Sequence, residues 1–241
     1  IYNTNYLLGK SQRIYILQQF KELTKQKTSL ENVRLNIPQP ITLSKEFVNP
    51  NNPDSIFLKY AVTEKADGER YILYILDNRG LLINSKKHVL DTGIEFPDLN
   101  KNYIFDGEYI TKNIDGENIK LFMIFDIYYE YIEDKVKYHH KSPFYDDTEM
   151  CRHKLLIDFK QNVLKNITFD NDKIEIDVKN YEFGKSGSTN KIGSDKYLRD
   201  CSTILKKCNN ILVKSENKSF RYTIDGLIFI PLFNAVKNNN S

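Results

Sequence analysis

The sequence has no tryptophan and three cysteines, Cys151, Cys201 and Cys208. They are odd in number and form no Cys-x-x-Cys pair, so no disulfide framework can be drawn from them. Cys201 and Cys208 stand seven residues apart, on one face of a helix, and read as core residues of a protein kept in a reducing compartment. No apolar run is long enough to span a membrane, and Ile1-Tyr2-Asn3-Thr4 does not begin a signal peptide. An initiator methionine is also missing, which leads us to expect a fragment of a longer chain; the sequons at Asn166 and Asn217 then read as chance matches. Nor does either sign of charge dominate. With 35 Lys and Arg against 32 Asp and Glu, the net charge of +3 permits a nucleic-acid partner without arguing for one. What is present is enough apolar and aromatic material, 40% and 12% of 241 residues, to bury a core and to exclude disorder.

The patterning predicts a helix over residues 11–24, with Ile16, Phe20 and Leu23 on one face. Pro38, Pro40, Pro50 and Pro53 then exclude one regular element, so residues 1–56 read as a helix followed by an extended arm. From Phe57 to Leu76 two strand-like runs flank Asp67-Gly68, a hairpin-turn signal. Further strands are expected over Tyr103–Ile110, Leu121–Tyr129, Lys173–Phe183 and Ile224–Ile230, the last of them buried. Lys173–Phe183 alternates most cleanly. Met150–Leu164 reads as a helix, with Leu156, Phe159 and Val163 at helical spacing. A second, Tyr197–Leu212, carries Leu198, Cys201, Leu205, Cys208 and Leu212 in one stripe that reads as core. The fold expected is α+β, with mainly antiparallel sheets and flanking helices, and a frayed tail at Asn238–Ser241.

Four segments carry chemistry. In Glu64-Lys65-Ala66-Asp67-Gly68-Glu69-Arg70 a lysine ends an apolar strand and an arginine follows five residues later. Ile104-Phe105-Asp106-Gly107-Glu108 places two carboxylates around a glycine between apolar strand halves, which costs stability unless they have partners. Phe122-Met123-Ile124-Phe125-Asp126 is a core strand interrupted by a carboxylate, and Asp225-Gly226-Leu227-Ile228-Phe229 sets a carboxylate and glycine before another apolar run. Each alone also reads blandly, as a charged turn, a solvated bulge or a core strand. An amine with an ordinary pKa of about 10.4 is a nucleophile only once deprotonated; partial burial, Arg70 and a bound metal would all disfavour the ammonium form of Lys65.

In order and spacing the four segments resemble the covalent nucleotidyltransferases: ATP-dependent DNA ligases, RNA ligases and mRNA capping guanylyltransferases. The resemblance runs from Phe57 to Pro231. It implies a ligase-like (ATP-grasp-like) core over residues 57–241 and a reaction in which Lys65 takes a nucleotide covalently. Glu108 and Asp225 then become the carboxylates near a divalent metal, Mg²⁺ or Mn²⁺, and near the ribose. Arg70 becomes the ribose contact, Asp67 and Gly68 shape the turn presenting Lys65, and Asp106 helps to hold the loop. Phe125 matches the aromatic that stacks on the purine, with Phe122 as the alternative; Thr63 and the loop Ser85–Lys87 are candidates for reading the base.

Asp before Gly226, and Pro231 after the run, favour capping with GTP as substrate and an RNA 5′ end as acceptor. Ile37-Pro38-Gln39-Pro40-Ile41-Thr42-Leu43 resembles the approach to the nucleophile in multifunctional capping enzymes of large cytoplasmic DNA viruses, which implies flanking triphosphatase and methyltransferase domains and a cytoplasmic, viral-factory or virion location. The alternatives are the adenylation domain of a ligase and a degenerate docking module. One departure stands out. The family's fifth motif, a strand with two lysines, has no match, since Lys237 does not fit it, and the OB-fold that follows is missing. Tyr128-Tyr129-Glu130-Tyr131 reads as a solvated edge rather than a partner surface.

Overall fold

The computed structural model describes residues 8–35, 37–96, 99, 101–132, 135–138, 144, 151–183 and 195–232. In chain order the elements are α1 (Lys10–Leu23), α2 (Ile56–Lys59), β1 (Tyr60–Ala66), β2 (Glu69–Leu76), β3 (Arg79–Asn84), β4 (Val89–Glu95), β5 (Lys101–Lys112), β6 (Asn118–Ile132), β7 (Lys135–Tyr138), α3 (Arg152–Asn162), β8 (Glu175–Val178), β9 (Glu182–Phe183), α4 (Asp195–Glu216) and β10 (Ile224–Pro231). They form an α+β fold with two sheets. One holds seven strands in the order β4-β3-β2-β5-β6-β7 with β8 beside β6; the other is β10-β1-β9. All pairings are antiparallel except β6 with β8.

The unbroken apolar run of β2 follows from burial on both faces. Ile72, Tyr74 and Leu76 pack with Ile16, Leu17 and Phe20 of α1, while Tyr71, Leu73 and Ile75 face the cluster that includes Leu156 and Phe159 of α3. Asp77 and Asn78, both at positive φ, close the two-residue turn into β3.

Several expectations are corrected. Asp67-Gly68 is not a hairpin turn: β1 pairs with β10 and β9, and β2 with β3 and β5, so the chain crosses here between sheets. Gly68 is demanded by packing, since a Cβ there would lie 2.8 Å from both Glu108 Cγ and the Tyr109 carbonyl oxygen. Lys173–Phe183 is not one strand. It splits into β8 and β9, in different sheets, because alternation breaks where Val178 and Lys179 are both buried. On α4 the buried face is Ile204 and Ile211 with Cys208 partly buried, whereas Leu205 and Leu212 are exposed. Leu205 and Leu212 each stand one residue, about 100°, beyond the buried Ile204 and Ile211, and Cys208 alone of these belongs to both stripes. β10 is an edge strand, half-exposed rather than buried. Tyr128 is buried, not a solvated edge. Met150, Lys237 and Asn238–Ser241 lie outside the described residues, as do the side chains of Leu198, Cys201, Glu130 and Tyr131.

Candidate active site

Ala61, Thr63 and Lys65 alternate along one face of β1, and Phe125 packs against the cluster that Ala61 forms with Tyr181 and Leu232. Lys65 is exposed at the strand end, and its Nζ donates to Asp225 Oδ2 at 2.5 Å, joining groups 160 residues apart. Local backbone explains the meeting. Glu64 pairs with Leu227 but Ala66 with Ile224, so β10 bulges by one residue opposite Lys65, and Gly226 at φ +111° supplies the conformation the bulge needs. The bond from Asp225 raises the pKa of Lys65, and the fields of Glu108 and Asp67 act in the same direction; burial opposes them. In this arrangement the ammonium form is favoured, the reverse of the sequence expectation, because the Asp225 carboxylate stands against the amine while Arg70 is held on Asp106.

Two further bulges shape the neighbouring sheet. Along β6, Ile127 pairs with Phe105 and Ile124 with Gly107, while Asp126 pairs with Asp106; Phe125 is the extra residue. Tyr128 is the extra residue of the next step. The inward-facing series Phe122, Ile124, Ile127 therefore skips a position, while Phe125, three residues from Phe122, lies on the opposite face. Phe122 is fully buried in the core, against Gly107, where no base can reach it. Gly107 is required because a Cβ would meet the Phe122 ring and lie 2.7 Å from the Met123 carbonyl oxygen.

Cations flank Phe125. Arg70 Cζ lies 5.7 Å and Lys179 Nζ 5.6 Å from its ring centroid. Arg70 grips Asp106 with two donors, Nε to Oδ1 at 3.0 Å and Nη2 to Oδ2. Asp106 is fully buried and also accepts the Tyr128 hydroxyl at 3.1 Å. Burial pushes its carboxyl up to about 6, against the opposing pull of Arg70. Asp106 therefore holds Arg70 and does not itself face the cleft. Beside it Asp126 is gripped in the same way by Arg152, at 2.8 and 3.0 Å.

Lys179 went unnoticed in the sequence. Its side chain is completely covered, with Nζ 3.1 Å from the Glu64 carbonyl oxygen and 3.4 Å from Glu108 Oε2. By parity it continues the polar positions Glu175 and Asp177 of the alternating run, so the sequence carried no signal of its burial. Thr63 is buried with its hydroxyl on the Asn180 carbonyl, and Lys87 bonds the Glu31 carbonyl, so neither is free to read a base. Asp67 is exposed at the crossing.

Asp225, Lys65, Glu108, Lys179, Phe125 and Arg70 thus line one continuous site at the junction of the two sheets. Glu108 and the exposed Asp225 offer hard carboxylate oxygens. Among the described residues no group of three or more His, Cys, Asp or Glu builds a protein-only cage. Two such carboxylates have the donor chemistry that suits a hard divalent cation shared with phosphate oxygens.

A family model described as mRNA capping enzyme, catalytic domain, matches residues 7–203. A probable mRNA-capping enzyme of Acanthamoeba polyphaga mimivirus is 32% identical over 134 residues, covering 53% of this chain and 10% of the relative. The chain thus spans about a tenth of the length of that protein. Among the described residues no helix is long and apolar enough to cross a membrane.

Proposed function

The chain belongs to the mRNA capping enzyme catalytic-domain family, and on that premise we propose that it is a guanylyltransferase, which takes GMP from GTP onto Lys65 and passes it to the diphosphate 5′ end of an RNA. The reading rests above all on the contact between Lys65 Nζ and Asp225, which joins the first and fourth motifs. As a free amine, Nζ forms a P–N bond to the α-phosphorus while the α–β P–O bond breaks and pyrophosphate leaves. A terminal oxygen of the RNA diphosphate then forms the new P–O bond and the P–N bond breaks. Glu108 and Asp225 would hold a divalent cation, Mg²⁺ or Mn²⁺, which offsets the phosphate charge. Arg70 contacts the ribose and Phe125 stacks on the base.

Stacking on Phe125 accepts either purine, so the choice of guanine over adenine rests on hydrogen bonds to the purine edge. Flanking triphosphatase and methyltransferase domains in the same chain, and a cytoplasmic site of action, complete the proposal.

The test is competition between labelled GTP and ATP, with a divalent metal, for covalent attachment to the full-length protein, read on a denaturing gel. GTP is expected to label and ATP to fail. Labelling by ATP as fast as by GTP would favour a ligase.

A further inference from the structure

The arm before β1 meets the site at one point: Arg70 Nη2 donates to the Pro38 carbonyl oxygen at 2.8 Å. Upstream, Val33 is buried and Leu35 and Ile37 pack on the α1 face of the seven-stranded sheet. Downstream, Phe47 packs with Ile56, Val62 and α4 on the three-stranded sheet, and its carbonyl oxygen accepts from the Ile56 amide and Ser55 hydroxyl. The segment between is therefore anchored at both ends and bridges the two sheets beside their junction. Ile41 and Leu43 are exposed along it, so packing does not hold the middle of the span. Its stiffness comes from Pro38-Gln39-Pro40: both prolines have fixed φ, and Gln39, preceding a proline, is restricted to extended conformations.

The donors of Arg70 can be counted. Nε and one Nη2 hydrogen go to Asp106, and the other Nη2 hydrogen goes to Pro38. Among the described residues Nη1 has no acceptor. We propose that the arm is part of the nucleotide site, with the Pro38 carbonyl as a positioning group. Together with Asp106 it fixes the guanidinium so that the two Nη1 hydrogens alone face the nucleotide. The inference rests on the reading of Arg70 as a nucleotide contact.

The test uses the full-length protein with Pro38→Gly/Pro40→Gly, which loosens the arm but keeps its anchors, and as a second variant a two-glycine insertion between Ile37 and Pro38. GTP affinity and single-turnover labelling at saturating GTP are measured, alone and in an Arg70→Ala background. Each arm variant should weaken GTP by about tenfold to a hundredfold, the scale of one hydrogen bond to a charged group. The saturated rate should stay unchanged, and Arg70→Ala should abolish the effect of the arm. An arm effect that persists without Arg70, or arm variants that bind GTP normally while Arg70→Ala does not, would overturn the proposal. If Arg70→Ala itself leaves GTP binding intact, it is the nucleotide reading of Arg70 that fails, and the inference with it.

Discussion

Asp225→Asn separates two accounts of the Lys65–Asp225 pair. The substitution keeps the side-chain shape and the Gly226 bulge while removing the charge. Both partners are substantially exposed, 46% and 67%, so the pair contributes less than about 1 kcal/mol to stability and the melting temperature should barely move. Its effect on Lys65 is different in kind. Asp225 raises the lysine pKa, so its loss increases the fraction of free amine at neutral pH. If the pair were only a resting counterion, labelling would therefore accelerate. On the reading proposed here Asp225 aims the amine and contributes to offsetting the phosphate charge. Removing one such electrostatic group costs on the order of 10²–10³ in rate, or about 3–4 kcal/mol. Covalent labelling by GTP, followed in time on a denaturing gel alongside thermal melting, decides the matter. Labelling as fast as wild type or faster in a folded variant would refute the assignment of Asp225.

Lys65→Arg should abolish labelling with no loss of melting temperature, since a guanidinium stays protonated at any usable pH; surviving label would place the nucleophile elsewhere. Asp106 gives a pH signature. Its folded pKa of about 6 lies above the ordinary 3.8, so its contribution to stability is fully present below the ordinary value and is lost as pH rises through 6. Melting at pH 5 and pH 7 should show this slope, and Asp106→Asn should flatten it. Over the same range GTP affinity should fall as pH drops below 6 and Arg70 loses its charged partner; an affinity flat from pH 7 to 5 would contradict the role given to Asp106. Gly107→Ala should destabilise the protein by about 1–3 kcal/mol through overpacking against Phe122 and the Met123 carbonyl, as denaturant midpoints would show.

The family and the proposed nucleophile are legible locally, in short motifs whose residue types the chemistry requires. Lys65, Glu108 and Asp225 could be named from sequence, as could the α+β class, because amphipathic period and strand alternation depend on near neighbours. What sequence could not supply depends on backbone irregularity and on where segments meet. A bulge shifts side-chain parity without changing composition, so Ile127 shares the core face of β6 with Phe122 and Ile124 only because Phe125 is an extra residue opposite Asp106 and Gly107. The sheet crossing at Asp67-Gly68 looked like a hairpin because glycine serves tight turns and close packing equally. Lys179 was hidden because the partners that make a buried lysine tolerable, the Glu64 carbonyl and Glu108, lie 115 and 71 residues away. Tertiary structure alone decided the charge state of the site. The same Lys65 is a stronger or weaker base according to whether Arg70 or Asp225 stands beside it, and in the folded chain Asp225 holds the amine while Asp106 draws Arg70 away.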